Sequence, residues 1–269
     1  MIEYKTPEEI ELIRESCMLV SRTLAYIASL LEPGVTGKTI DLEAETFIRD
    51  HGGIPGFKGY QGFPATLCIS VNEAVVHGIP SEKPFEDTDI LSIDCGVLKN
   101  GYYGDSAYTF VFDGVESAVV KLCEVTNESL YLGIKEATPG NRTGDIGYAI
   151  QLHTEKFSGY GVVRELVGHG VGKNLHEAPD IPNFGKKGQG ILLKEGMVIA
   201  IEPMINLGKK EIRQINDGWT IVTKDRLPSA HYEHTVAITK NGPDILSDHE
   251  IICDILKNNE NIKEISIKN

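Results

Sequence analysis

The chain has 269 residues, of which 41% are hydrophobic, enough to bury a large core without help from disulfides. Its 26 basic and 39 acidic residues leave a net charge of −13, which argues against a general nucleic-acid or membrane-surface binder, since both need a positive face. Five cysteines, at 17, 68, 95, 123 and 253, are odd in number and form no CxxC, so a disulfide framework or zinc ribbon is not expected and a reducing compartment is.

The start, MIEYKTPEEIELI, is charged and lacks an apolar signal core, and no later apolar run approaches the ~20 residues of a membrane helix. The cytoplasm is the expected location. Thr6 can cap a first helix, with Pro7 at its first position and Glu9 completing a capping box. Ile10, Ile13, Cys17, Val20, Leu24, Ile27 and Leu31 follow at helical spacing, and Pro33-Gly34 should stop the run. A second helix is predicted from Thr39 to Asp50. Strands are predicted at Thr66–Val71, Asp89–Asp94 and, after a turn at Asn100-Gly101, Asp105–Phe112, then a long helix over Ser117–Ala137 and another from Thr143, as cap, to Phe157. The polar run from Lys257 to Asn269 reads as loosely held.

The order of elements occurs twice. A Pro-Gly followed by a Thr-Gly pair leads into a helix at 33–37 and again at 139–144. Each half then reaches an apolar strand ending in an acid, Asp94 in LSID and Glu202 in VIAIE. Each next offers an acid at the head of another apolar strand, Asp105 before SAYTFVF and Glu233 before HTVAIT. The expectation is one catalytic domain over 1–269, with related halves at 33–115 and 139–240 and a site between them.

Those acids carry the chemistry. A buried carboxylate is costly unless it is paired or binds a cation, and four converging carboxylates need concentrated positive charge, as two divalent ions supply. Asp94 and Asp105 are eleven residues apart, so adjacent antiparallel strands, turning at Tyr102-Tyr103-Gly104, would set them side by side. His169 sits between glycines in GHGVG, which lets the backbone pack closely and frees the imidazole. One imidazole among carboxylates suits manganese, iron(II), cobalt or zinc. His176 and His77 are the further histidines in glycine-containing segments. No GxSxG, phosphate loop or GxGxxG is present.

Read together, NEAVVHGIP (72–80), SIDCG with YGDSA (92–96 and 103–107), GHGVGKNLHEAP (168–179), IAIEPM (199–204) and HYEHTVAIT (231–239) make the chain resemble the type I methionine aminopeptidases of the bacterial kind. The resemblance implies the α/β pita-bread fold, two pseudo-symmetric halves around a central antiparallel sheet. It implies that Asp94, Asp105, His169, Glu202 and Glu233 hold two divalent ions, and that Glu202 also carries a proton. It implies that His176 steadies the peptide carbonyl and that His77 contacts the substrate backbone or the leaving nitrogen. Phe57, Tyr60, Phe63, Cys68, Leu175 and Trp219 are implied to form the methionine pocket, where aromatic rings and a soft sulfur suit a thioether. Leu175 stands where the family often has an aromatic residue, and Gln61 where it often has a histidine. The implied activity is removal of the initiator methionine from nascent chains when the next residue is small. A monomer is expected, with a transient ribosome contact and no membrane partner.

Overall fold

The computed structural model describes residues 2–265. Helix α1, Pro7–Ala28, begins with a reciprocal cap: Glu9 N–H donates to the Thr6 hydroxyl (3.3 Å) and Thr6 N–H to the Glu9 carboxylate (3.0 Å). Its buried stripe contains Ile13, Cys17, Val20, Leu24 and Ile27, and the helix ends at Ala28, short of Pro33-Gly34, with Leu31 buried beyond it. Helix α2, Gly37–Asp50, starts at Thr36 and not at Thr39: the Thr36 hydroxyl accepts from Thr39 N–H (3.2 Å).

Both helices cover a five-stranded antiparallel sheet. Strand β1, Leu67–Val71, pairs with β2, Ile90–Lys99, which pairs with β3, Tyr102–Phe112. The strands run longer than their apolar cores suggest, so Asp94 and Asp105 lie inside the ladder and not at its edges. Ile54–Pro55 adds to β2 and Ile262–Lys263 to β3. That last pairing corrects the loose C-terminal run as far as residue 265. Ile262 and Ile265 are buried, and the Asn259 side-chain amide donates to the carbonyls of Ala28 (2.8 Å) and Leu31 (2.9 Å). The remainder of that run, 266–269, lies outside the described residues.

The second half repeats the arrangement. Helix α3, Ser117–Lys135, packs on α4, Thr143–Gln151, which continues through a π-helical turn to Phe157. The α4 cap is Arg142, whose N–H donates to Asp145 (2.8 Å), one residue before the predicted Thr143. Strands β4, Gly168–Gly170; β5, Glu177–Ile181; β6, Val198–Ile201; β7, His234–Thr239; and β8, Gly242–Ile245, form an antiparallel sheet in the order β8-β7-β6-β4-β5.

The central sheet is therefore divided between the halves and laced together along β3. Glu233 N–H donates to Ala107 O (2.9 Å), Thr235 Oγ1 to Asp105 O (2.7 Å) and Ser106 Oγ to Glu233 O (2.6 Å). These bonds bring the acid-bearing strands of the two halves into contact, over one apolar core that runs through both. Among the described residues no helix is long and apolar enough to cross a membrane, and the five cysteines are free thiols.

Candidate metal centre

Asn100 and Gly101 make the β2–β3 turn, both at positive φ (52° and 81°), which suits a tight hairpin. Tyr102–Gly104 belongs to β3, so of the two turns the sequence offered, Asn100-Gly101 makes the connection and Tyr102-Tyr103-Gly104 does not. The register opposes Asp94 to Ala107 and Gly96 to Asp105, and the pleat then sends both carboxylates to one face, diagonally adjacent. Cys68 lies directly opposite Asp94 on β1, which brings its sulfur to that face.

The second half supplies its acids differently. The ladder of β6 with β7 stops at Ile201↔His234 and resumes in the same register at Met204↔His231. Glu202 and Glu233 face each other in the gap. Pro203 has no N–H to give there, Glu202 O accepts the Asn183 amide (2.9 Å), and Glu233 N–H goes to Ala107. The break frees both carboxylates from the pleat and turns them toward Asp94 and Asp105.

His169 reaches the cluster because both its neighbours are glycine. An added Cβ would come within 2.3 Å of Ala200 O at Gly168 and 2.5 Å of Ala178 O at Gly170. Its Nδ1–H donates to Gly170 O (2.9 Å), which fixes the tautomer and leaves the Nε2 lone pair free. Nε2 stands 3.8 Å from Asp105 and 3.6 Å from Glu202. Ligand atoms of Asp105, His169 and Glu233 all lie within 4.8 Å of one another.

Electrostatically this cluster is unfinished. Asp94 Oδ1, Asp105 Oδ1 and Glu233 Oε1 are buried without any hydrogen-bond partner. Burial pushes the Asp94 carboxyl up to about 7, against hydrogen bonds from Asp105 and the Cys95 amide that favour ionisation. Burial raises Asp105 well above the usual carboxylate range, helped by the charges of Asp94 and Glu202. Glu202 is raised by burial and by Asp94, and Glu233 by burial and by Asp105, Glu202 and Asp94. His169 falls to about 3, through burial and then the neighbouring His176, so it is a neutral imidazole. Acceptor-only oxygens, orphaned and mutually repelling beside a neutral imidazole, fit divalent cations.

The cluster opens into a cavity of about 570 Å³, whose wall includes Asp94, His169 and Glu202. Phe57, Phe63, Cys68 and Leu175 line the same cavity as part of a separate small apolar cluster, with Tyr60 and Trp219 packed against it. Phe63 meets Trp219 edge to face at 5.2 Å between centroids. Leu175 is buried within this wall, and Gln61 lines the cavity from a left-handed turn (φ 48°). His176 Nδ1 lies 2.9 Å from the Tyr60 hydroxyl, and its ring stands against His169 at 4.2 Å. His77 also lines the cavity, held at φ 57°, with its basicity lowered by burial and then by His176.

One histidine at the centre, the first of HYEHTVAIT, has no role in the sequence reading. His231 is buried, its Nε2 has no partner, and that atom lies 3.7 Å from Glu202 Oε2. Alternation carries the signal that could have found it: residues 231 and 233 share one face of an extended segment.

The metallopeptidase family M24 model matches residues 11–240. The chain is 49% identical to methionine aminopeptidase 1 of Bacillus subtilis and 48% identical to the methionine aminopeptidase of Clostridium acetobutylicum, in each case over 92% of this chain and 99% of the relative. Its fold superposes on the crystal structure of methionine aminopeptidase from Rickettsia prowazekii with a TM-score of 0.90 and 39% identity, covering 92% of this chain and all of that one. An acid cluster built for cations, in a fold matched along nearly its whole length, accords with what these relatives are: the chain belongs to metallopeptidase family M24, among its methionine aminopeptidases.

Proposed function

We propose that this protein hydrolyses the first peptide bond of polypeptides that begin with methionine, using two divalent ions held by Asp94, Asp105, His169, Glu202 and Glu233. One observation carries the reading: a single cavity joins a cation-deficient acid cluster to an apolar, sulfur-lined pocket. Bound divalent ions would supply Lewis acidity and a readily ionised water at the acid cluster. Asp105 and Glu233 would hold both ions, Asp94 one of them, His169 and Glu202 the other. Glu202, on the cavity wall, takes and returns the proton. His176 donates to the substrate carbonyl as negative charge develops there. His77 holds the substrate backbone. Phe57, Tyr60, Phe63, Cys68, Leu175 and Trp219 take the methionine side chain.

Manganese, iron(II), cobalt and zinc all suit the donor set, and a small second residue is preferred. The protein acts as a monomer in the cytoplasm on nascent chains, with a transient ribosome contact. The test is methionine release by metal-stripped protein after re-addition of one metal at a time. Met-Ala-Ser should be cut once two equivalents bind, Met-Leu-Ser far more slowly and non-methionine Xaa-Pro peptides not at all. Preferential cleavage of Xaa-Pro peptides, or full activity in the stripped protein, would refute it.

A further inference from the structure

The short arm ahead of α1 is stitched to the opposite half of the molecule. Lys5 N–H donates to Gly196 O (2.7 Å), and its ammonium donates to Glu177 Oε2 at 2.5 Å across 172 positions of sequence. Both side chains are shielded, 4% and 7% exposed. The other oxygen of the same carboxylate accepts Asn174 N–H (3.0 Å). Glu177 is thus a two-sided clamp, with one oxygen on the arm and the other on the backbone of the loop before it.

That loop has no regular secondary structure from 172 to 176, yet it carries Leu175 of the apolar pocket and His176. Its other backbone ties are two, Tyr103 N–H to Gly172 O (2.8 Å) and Gly172 N–H to Asn174 O (3.2 Å); its side chains add the contact of His176 with the Tyr60 hydroxyl (2.9 Å) and the pair of Lys173 with Glu9 (3.5 Å). The pair also accounts for the last glycine of GHGVG. A Cβ at Gly172 would stand 2.5 Å from Lys5 Cε and 2.6 Å from Glu177 Oε1, so this glycine makes room for the clamp and not for substrate.

We propose that Lys5 is a positioning residue for the reaction: acting through Glu177, it holds loop 172–176 so that His176 stays aimed at the scissile carbonyl. This rests on the aminopeptidase reading above. Without Lys5 the Glu177 carboxylate is buried and unpaired, and it reaches water only by moving outward with the Asn174 amide it holds. His176 is two residues from that amide.

The experiment compares Lys5→Met with Lys5→Met/Glu177→Gln, in which the amide oxygen still accepts from Asn174 but no charge is left unpaired. Lys5→Met should lower kcat about 10- to 100-fold, the scale expected when a catalytic group shifts by ~1 Å. KM for Met-Ala-Ser should change less than about 3-fold, and calorimetry should still find two equivalents of manganese bound, because all five ligands and five of the six pocket residues lie outside the loop. The double variant should recover most of kcat. Should Lys5→Met not fold, Lys5→Gln takes its place with the same expectation. An unchanged kcat, a loss that only tracks the folded fraction, or a double variant as impaired as the single one overturns the proposal. If the wild type releases no methionine at all, the aminopeptidase reading fails separately. Amide hydrogen exchange at Asn174–Glu177 then decides the clamp alone: faster exchange in Lys5→Met sustains it, unchanged exchange overturns it.

Discussion

Replacing Gly96 with alanine should damage the apolar pocket while sparing the acid cluster. Gly96 faces Asp105 across the ladder, but the space a side chain would take is filled by Phe57. An added Cβ would stand 2.5 Å from Cε1, 2.9 Å from Cδ1 and 3.1 Å from Cζ of that ring. Carbon atoms pack comfortably at about 3.5–4.0 Å, so the ring must retreat by about 1 Å. Phe57 is buried against Phe63, Cys68 and Leu175, and the open direction is into the cavity. Overpacking of this kind costs about 1–3 kcal/mol of stability. The lost space, about one methylene deep, costs a similar amount of transition-state binding, or about 10- to 200-fold in kcat/KM. The assay is kcat/KM on one peptide tail carrying N-terminal methionine, norleucine or norvaline, with metal stoichiometry measured alongside. Methionine and norleucine should lose at least about 10-fold more than the shorter norvaline, and two metal equivalents should remain. Equal losses for all three, or a lost metal equivalent, would refute the reasoning.

The raised carboxyls predict proton release on metal binding. Asp94 sits at about 7 without metal and its three partners are raised well above the usual carboxylate range, so each is neutral below its folded value, and manganese affinity should climb as pH rises through about 7. Calorimetry in buffers of different ionisation heat measures this, and a pH-independent affinity with no proton release would contradict it. The metal-free fold binds more protons at Asp94 than the unfolded chain between 3.8 and about 7, so this group's contribution to stability should fall as pH rises across that window, which thermal melts can follow. Asp94→Asn should bind one manganese tightly instead of two by calorimetry, and retention of both would remove Asp94 from the ligand set. His231→Leu should weaken metal binding or kcat about 10- to 100-fold, with His231→Gln, which keeps a donor, closer to wild type. Equal behaviour of the two variants would deny His231 any role at Glu202.

What the sequence showed of the fold was the part written in local chemistry. The Thr6–Glu9 box, the Asn100-Gly101 turn and the apolar runs each announce themselves within a few residues. The acids were legible for the same reason: Asp94 and Glu202 follow buried runs in which a lone carboxylate has no business without a partner. The missing pieces depend on long-range pairing. Apolar content fades toward the hairpin, so β2 and β3 looked shorter than they are. Ile262 reads as part of a polar tail until β3 offers it an edge. Lys5 looks like an ordinary exposed lysine, because its partner lies 172 positions away. His231 was hidden by its company: His234, three residues on, is equally buried but binds Tyr131 and Ser247 on the opposite face.

The two halves reach one site by unlike means, and the difference sorts the acids. Asp94 and Asp105 stand inside an unbroken ladder, so their spacing is fixed by the pleat and by Gly96 between them. Glu202 and Glu233 stand in a gap that Pro203 helps to open, where the side chains are free of the pleat. Across the interface, Glu233 is tied by its own N–H to Ala107 of β3, two residues along from Asp105, and Glu233 and Asp105 are almost fully buried, 2% and 3% exposed. Asp94 and Glu202 instead open onto the cavity. A repeated plan thus yields one inner acid and one outer acid from each half. In the proposed reaction the inner two would be the shared ligands and the outer two would meet substrate. Of the outer pair, Glu202 alone has an unpartnered imidazole beside it and a backbone released from the ladder, which supports giving the proton transfer of the proposed reaction to Glu202 and not to Asp94.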